Sequence, residues 1–120
     1  MNTRVVVVDD DKEFLEELQE ILQASGYDLV VVNNSRFALS KIVESKPDVV
    51  LLDLKMPGKN GFELATEMNR AFETEEIPVI VMTAYFKDEY KMLMDLCGVK
   101  RCLKKPFYPL DVISAIEGVL

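Results

Sequence analysis

Acidic, hydroxyl and basic side chains follow four apolar, strand-like runs of this sequence. The residues after these runs are Asp9 and Asp10, Asp53, Thr83, and Lys104 and Lys105. In an open parallel sheet the carboxyl ends of the strands lie along one edge, and ligands bind in the crevice there. The sequence therefore predicts a single pocket that contains three carboxylates, one hydroxyl and one lysine.

The three predicted pocket acids, Asp9, Asp10 and Asp53, require a partner of opposite charge. Two carboxylates about 4 Å apart repel each other by about 4 kcal/mol at an effective dielectric constant near 20. Close acids must therefore bind a cation or take up protons. Because oxygen-only ligands favour a hard cation, we predict a Mg²⁺ site. Asp11 is interpreted separately, as the N-cap of the first helix.

Thr83 and Lys105 add groups that suit phosphoryl transfer. A carboxylate can act as a nucleophile and form an acyl phosphate. A divalent ion and a lysine can neutralise the transferred oxygens, and the Thr83 hydroxyl can bond one of them. Lys105 stands directly before Pro106, where a cis peptide bond is accessible. The chain has no histidine, so a phosphohistidine donor would have to be another molecule.

Alternating strands and helices are predicted to position these groups. The strands are continuously apolar and rich in Val, as is typical of parallel strands buried on both faces. The predicted strands are Arg4–Val8, Asp28–Val32, Asp48–Leu52, Pro78–Met82 and Arg101–Leu103. The last four helices are predicted at about 35–45, 61–72, 87–96 and from Pro109 onward. Five successive βα units imply right-handed crossovers, with helices on both faces of the sheet.

The apolar stripes of these helices predict which side chains face the core. Among them, Phe37 in the second helix and Leu110 and Leu120 in the fifth are expected to be buried. The stretch Phe72–Ile77, which carries three glutamates, is interpreted as a solvated loop.

Composition narrows the class of protein. At 120 residues the chain has the size of one domain. Its net charge of −7 argues against nucleic-acid binding by this domain. No apolar run approaches the ~20 residues of a membrane span, and we expect no signal peptide. Cys97 and Cys102 alone would be an incomplete zinc site, so we interpret them as reduced thiols of a cytoplasmic protein.

Four motifs, in order along the chain, resemble those of the receiver domain of two-component response regulators. They are Val-Val-Asp9-Asp10-Asp, Leu-Leu-Asp53-Leu-Lys-Met-Pro57-Gly58-Lys-Asn-Gly61, Val-Met-Thr83-Ala84 and Leu-Lys-Lys105-Pro106-Phe107. The resemblance covers essentially the whole chain, residues 1–120. It implies an α/β, flavodoxin-like three-layer fold in which five helices surround a five-stranded parallel sheet of order 2-1-3-4-5.

The resemblance also implies a role for each site residue. Asp53 would accept the phosphoryl group. Asp10, Asp53 and the backbone carbonyl of Lys55 would ligate Mg²⁺ directly, and Asp9 would act through water. Lys105 would pair with the phosphoryl group, and its bond to the following proline would be cis. Thr83 would move toward the phosphate.

The same resemblance implies partners and a signalling role. A sensor histidine kinase or a phosphotransfer protein would supply the phosphoryl group. The surface formed by helix four, strand five and helix five would then change and control an output domain or partner protein. A homodimer on phosphorylation is possible, and no membrane contact is expected. The domain would be a switch with self-catalysed uptake and loss of phosphate, rather than an enzyme.

Three residues depart from the pattern of the family. Cys102 occupies the position, three before the lysine, where an aromatic residue commonly moves with the threonine. Tyr85 is bulky where many relatives carry a smaller or acidic residue, and Lys55 places a cation beside the pocket. We expect the side chains of Tyr85 and Lys55 to set the lifetime of the acyl phosphate.

Two alternatives stay open at this point. The spacing of Asp9 and Asp11 fits the Asp-x-Asp of a haloacid dehalogenase-like phosphohydrolase, but Lys12 and Glu13 do not continue that motif. A receiver-like interaction module that does not use phosphate is the other alternative. A Rossmann-type nucleotide site is disfavoured, because no Gly-x-Gly-x-x-Gly follows the first strand.

Overall fold

A computed structural model describes residues 2–120 of the chain. The strands in this range are β1 (Arg4–Val8), β2 (Asp28–Val32), β3 (Val49–Asp53), β4 (Val79–Thr83) and β5 (Val99–Lys104). The α-helices are α1 (Lys12–Ala24), α2 (Ala38–Ser45), α3 (Gly61–Arg70), α4 (Tyr90–Leu96) and α5 (Pro109–Val119). A short 3₁₀ turn, Ser35–Phe37, leads into α2.

Within residues 2–120 the five strands form one parallel sheet of order β2-β1-β3-β4-β5. Every residue of β3 and β4 is buried, as expected for central strands covered by helices on both faces. The predicted α/β, flavodoxin-like fold and its strand order are confirmed. This order places the ends of β1, β3 and β4 side by side at one edge of the sheet.

Apolar side chains pack in two layers, one on each face of the sheet. On one face, Leu18 and Leu22 of α1 and Ile116 of α5 pack against the strands. On the other face, Ile42 of α2 and Leu64 of α3 do the same. The helices therefore hold the strand ends in place from both sides.

Three predicted core residues are instead exposed, so these predictions were wrong. Phe37 is 55% exposed, Leu110 is 77% exposed and Leu120 is 60% exposed. Phe37 belongs to the 3₁₀ turn rather than to α2, so its side chain is out of phase with the buried stripe of that helix. In α5 the buried stripe is Val112, Ala115 and Ile116; Leu110 lies off this stripe, and Leu120 follows the end of the helix.

Several predicted boundaries also differ from the structure. The helix α4 begins at Tyr90 rather than near residue 87, and α3 ends at Arg70. The strand β5 is longer than predicted, because it pairs with β4 along Val79–Thr83 despite a register shift between Val79 and Ile80. The loop after α3 is only partly solvated: Thr74 is 1% exposed, and its hydroxyl donates to the carbonyl of Met68 at 2.7 Å.

In the part of the chain that the structure describes, the helices are too short or too polar to cross a bilayer.

Candidate functional site

The end of β1 is held by hydrogen bonds that fix Asp9. Its backbone N–H donates to the carbonyl of Val32 on β2 at 3.1 Å. Its carboxylate accepts the N–H of Asp11 at 3.0 Å, and the side chain of Asp11 accepts the N–H of Phe14 at 3.1 Å. Asp11 is therefore the N-cap of α1, as predicted. Asp9 is only 1% exposed, whereas Asp10 is exposed.

Asp53 is the last residue of β3 and is 8% exposed. The first residue of α3, Gly61, packs directly against it: a Cβ atom on Gly61 would lie 2.6 Å from the backbone oxygen of Asp53. The turn between them closes by a hydrogen bond from the N–H of Gly61 to the carbonyl of Leu54 at 3.1 Å. A capping box between Asn60 and Glu63 fixes the start of α3. The absence of a side chain at residue 61 lets the helix pack this closely against the strand end.

The acids and the lysine meet at the edge of the sheet. Carboxylate oxygens of Asp9, Asp10 and Asp53 all lie within 4.8 Å of one another. The Lys105 Nζ lies 2.6 Å from Asp9 Oδ2 and 3.2 Å from Asp53 Oδ1. The structure thus brings together these four residues, which come from three distant parts of the sequence.

The backbone after β5 directs Lys105 into this cluster. Its N–H donates to the carbonyl of Thr83 at 2.7 Å, and its peptide bond to Pro106 is cis, as expected. The Lys105 ammonium also lies 4.0 Å from the centre of the Phe14 ring. Phe14 also packs beside the core, and its contact with Lys105 was not predicted from the sequence. The position of Phe14 in the first turn after the acids was the available signal.

Burial and like charge act together on Asp53. Its burial, followed by the negative charge of Asp9, raises the pKa of Asp53 from 3.8 to about 6, against the opposing effect of Lys105. For Lys105, burial lowers the pKa of the ammonium, but the hydrogen bond and charge of Asp9, together with Asp53, outweigh burial and raise it. Lys105 therefore stays charged, and one cation balances only part of the charge of three acids.

This donor set fits a hard divalent cation. Its oxygen ligands come from the buried residues Asp9 and Asp53 and from the exposed residue Asp10. On the side of Asp10, water can reach a bound ion. Such a mixture of carboxylates and water suits Mg²⁺ in particular. Burial and the negative charge of Asp9 both raise the pKa of Asp53, and a cation bound beside its carboxylate would oppose both effects.

Thr83 ends the strand beside β3, and Lys55 and Tyr85 lie in the loops that follow Asp53 and Thr83. Thr83 ends β4 and is 2% exposed, and its hydroxyl accepts the N–H of Tyr85 at 3.1 Å. The exposed Lys55 follows Asp53 by two residues, and its Nζ lies 5.3 Å from the centre of the Tyr85 ring. The side chains of Lys55 and Tyr85 thus bridge the loops that follow β3 and β4.

Both cysteines are free thiols. Cys97 is buried, and Cys102 on β5 is half-buried beside the core. Burial raises the pKa of the Cys102 thiol, although the charge of Lys104 lowers it in part. Cys102 therefore carries a neutral, partly packed side chain.

Comparison with known proteins agrees with this geometry. The chain is 33% identical over 116 residues to the phosphate regulon transcriptional regulatory protein PhoB of Pseudomonas aeruginosa, an alignment that covers 97% of the chain and 51% of that protein. The chain thus spans about half the length of this curated relative.

Solved structures of similar proteins share the whole fold. The chemotaxis protein CheY4 of Vibrio cholerae matches with a TM-score of 0.95 at 27% identity, over 100% of both chains. The signal receiver domain of a signal transduction histidine kinase from Syntrophus aciditrophicus matches with a TM-score of 0.88 at 25% identity, over 98% of this chain and 89% of that one. Residues 5–117 match the family described as response regulator receiver domain. The chain therefore belongs to the response regulator receiver domain family of two-component systems.

Proposed function

We propose that residues 1–120 form one receiver domain that acts as a switch by accepting a phosphoryl group on Asp53. The observation that carries this proposal is the cluster of Asp9, Asp10 and Asp53 within 4.8 Å of one another, with the Lys105 ammonium 3.2 Å from Asp53. Receiver domains are generally signalling switches rather than enzymes that turn over separate substrates.

The transfer itself is a nucleophilic substitution at phosphorus. A carboxylate oxygen of Asp53 forms the new P–O bond while the P–N bond of a partner's phosphohistidine breaks and the imidazole leaves. Asp10, Asp53 and the backbone carbonyl of Lys55 would hold Mg²⁺, with Asp9 acting through water. When bound, the ion neutralises charge on the transferred oxygens. Lys105 pairs with one phosphoryl oxygen, and the hydroxyl of Thr83 donates to another.

The phosphodonor and the output are expected to lie outside residues 1–120. Because the chain lacks histidine, a histidine kinase or a phosphotransfer protein must carry the phosphohistidine. Signal would leave through α4, β5 and α5, where Met92, Leu96, Tyr108 and Leu110 are exposed. An output module that regulates transcription is one candidate, because the matched relative from P. aeruginosa is a transcriptional regulatory protein. A homodimer on phosphorylation would use the same surface.

A small phosphodonor tests the proposal without the natural kinase. The protein is incubated with Mg²⁺ and acetyl phosphate, and its intact mass is measured. We expect a gain of one phosphoryl group that is lost in Asp53→Asn and with EDTA, but kept in the surface control Asp95→Asn. Uptake that survives Asp53→Asn would contradict the assigned site. Failure to take up phosphate would favour an interaction module, and steady phosphate release from many substrates would favour a phosphohydrolase.

A further inference from the structure

The helix α4 is held only loosely to the rest of the molecule. It spans seven residues, Tyr90–Leu96, and among these none is buried. Its N-cap residue, Glu89, makes no side-chain capping hydrogen bond. Contact with the core comes from Tyr90 and Met94, which are partly buried. An element with so few buried contacts opens or shifts at low cost in free energy.

Aromatic rings provide the attachment at the start of α4. The Tyr90 ring lies edge-on to Phe62 of α3, with ring centres 5.4 Å apart and planes at 66°. It also lies edge-on to Phe86 of the preceding loop, with ring centres 6.2 Å apart and planes at 89°. The Lys104 Nζ lies over the Phe86 ring, 4.6 Å from its centre. Edge-on ring pairs and cation–π contacts are both attractive, so Phe86 joins α4 to the end of β5.

Phe86 is also tied to Thr83 from two directions. Along the chain, the N–H of Tyr85, the residue before Phe86, donates to the Thr83 hydroxyl at 3.1 Å. Across the sheet, Lys104 is the register partner of Thr83 on β5. The next residue, Lys105, donates its N–H to the Thr83 carbonyl and contacts Asp53. Phe86 is therefore linked to Thr83 both through the neighbouring residue Tyr85 and through Lys104 on β5.

We propose that Phe86 is a positioning residue that couples the state of Thr83 to the position of α4. The inference rests on the proposed function. A phosphoryl group on Asp53 offers the Thr83 hydroxyl a new acceptor, and a hydroxyl that turns to donate there no longer accepts the N–H of Tyr85 in the same geometry. The loop is then released, Phe86 changes its contacts with Lys104 and Tyr90, and α4 shifts with them.

The first experiment measures how firmly Phe86 attaches α4 to the rest of the protein, in the absence of a phosphodonor. Amide hydrogen exchange is followed by NMR in the wild type, in Phe86→Ala and Phe86→Leu, and in Phe72→Ala as the control, because Phe72 is 87% exposed and belongs to the loop after α3. We expect exchange in α4 to be at least fivefold faster in both Phe86 variants and unchanged in the control. Exchange in β1 and β3 should not change in any variant. Unchanged protection of α4 in Phe86→Leu would overturn the proposal.

The second experiment measures coupling, with acetyl phosphate and Mg²⁺ in excess. We expect Phe86→Leu to take up one phosphoryl group on Asp53 at a rate within twofold of the wild type. The phosphorylation-dependent amide shifts of α4 should fall by at least half, while those near Lys105 remain. Normal uptake with undiminished α4 shifts would overturn the role of Phe86 and leave the proposed function intact. A wild type that takes up no phosphoryl group would overturn both.

Discussion

Asp9 and Asp53 share one ammonium group, but their environments differ. Asp9 is almost fully buried, lies 2.6 Å from the Lys105 ammonium and accepts a backbone N–H. Asp53 makes a longer contact of 3.2 Å with the same lysine. The identity of the acids and their nearness could be predicted, because each follows a buried strand. The sequence could not predict which acid pairs more closely with Lys105, because this depends on backbone hydrogen bonds that form only in the folded chain.

The raised pKa of Asp53 predicts that its charge destabilises the metal-free protein. The pKa of Asp53 is 3.8 in the unfolded chain and about 6 in the folded protein. Between these two pH values the folded state therefore binds the Asp53 proton more tightly than the unfolded state does. Stability must therefore fall as the pH rises through this window, and the loss is complete above about 6. A shift of this size corresponds to about 3 kcal/mol. Asp53→Asn should remove this loss, because Lys105 keeps Asp9 as its partner.

Urea unfolding in EDTA at several pH values measures this effect. At pH 7 we expect Asp53→Asn to be more stable than the wild type by up to about 3 kcal/mol, and the difference should shrink toward pH 4. Asp95→Asn, at an exposed position, should follow the wild type at every pH. A pH-independent difference between Asp53→Asn and the wild type would mean that the substitution acts through packing rather than charge.

The contact between Lys55 and Tyr85 gives a direction to the predicted effect on phosphoryl lifetime. The two side chains bridge the loops after Asp53 and Thr83, and we expect them to limit the approach of water. An exposed cation–π contact contributes about 0.5–1 kcal/mol. Because water would have to separate the two side chains before it attacks, loss of the contact should speed hydrolysis by about two- to fivefold. Loss of label from the phosphorylated protein is timed in Lys55→Ala and Tyr85→Ala, with Lys59→Ala as the control from the same loop. Equal decay rates in all variants would refute the expectation.

At the scale of elements, the turns after the strands decide the geometry of the site. Continuous apolar runs predicted β1 and β2 to the residue, although β2 at the edge of the sheet is only partly buried. The start of α4 and the length of β5 were not predicted. Both are decided by tertiary contacts: β5 extends as far as β4 can pair with it, and α4 begins where Tyr90 reaches the Phe62 ring.

Gly61 offers a direct test of how α3 fixes the end of β3. A Cβ at this position would meet the backbone oxygen of Asp53 at 2.6 Å and the Cα of Leu54 at 3.0 Å. Backbone atoms cannot move aside as a side chain can, so Gly61→Ala should displace the turn. We expect a loss of about 1–3 kcal/mol in the free energy of unfolding, as for other overpacked sites, and slower phosphoryl uptake on Asp53.

Gly118→Ala is the matched control for this substitution. Its Cβ would also meet an atom at 2.6 Å, but that atom is the end of the flexible Arg101 side chain. Since alanine favours a helix over glycine by up to about 1 kcal/mol, this variant should be as stable as the wild type or more so. Both variants are compared by urea unfolding and by the rate of acetyl phosphate labelling. If Gly61→Ala matches Gly118→Ala in both measurements, close packing at Gly61 does not position Asp53.

At the scale of the whole molecule, the site and the fold depend on the same long-range contacts. Asp9, Asp53 and Lys105 become neighbours only when β1, β3, β4 and β5 pair in the observed order. Alternating strands and helices predicted a parallel sheet, but the strand order was implied by the resemblance to a family rather than by the pattern of residues. The local pattern could not supply it, because strand order depends on contacts between distant segments.

This dependence predicts that Mg²⁺ stabilises the entire fold. A ligand that binds only the folded state adds about 2.7 kcal/mol at 100 times its dissociation constant, since the unfolded chain does not assemble the three acids. Urea unfolding should therefore shift to higher midpoints with Mg²⁺ than with Na⁺ at equal ionic strength.

Because the chain carries a net charge of −7, some stabilisation could arise from general screening of charge. Asp10→Asn separates the two effects: it leaves the pair between Lys105 and Asp9 in place but removes an exposed ligand, so the specific gain should largely disappear. An equal gain from Mg²⁺ in Asp10→Asn and in the wild type would show that the ion acts on the overall charge and not at this cluster.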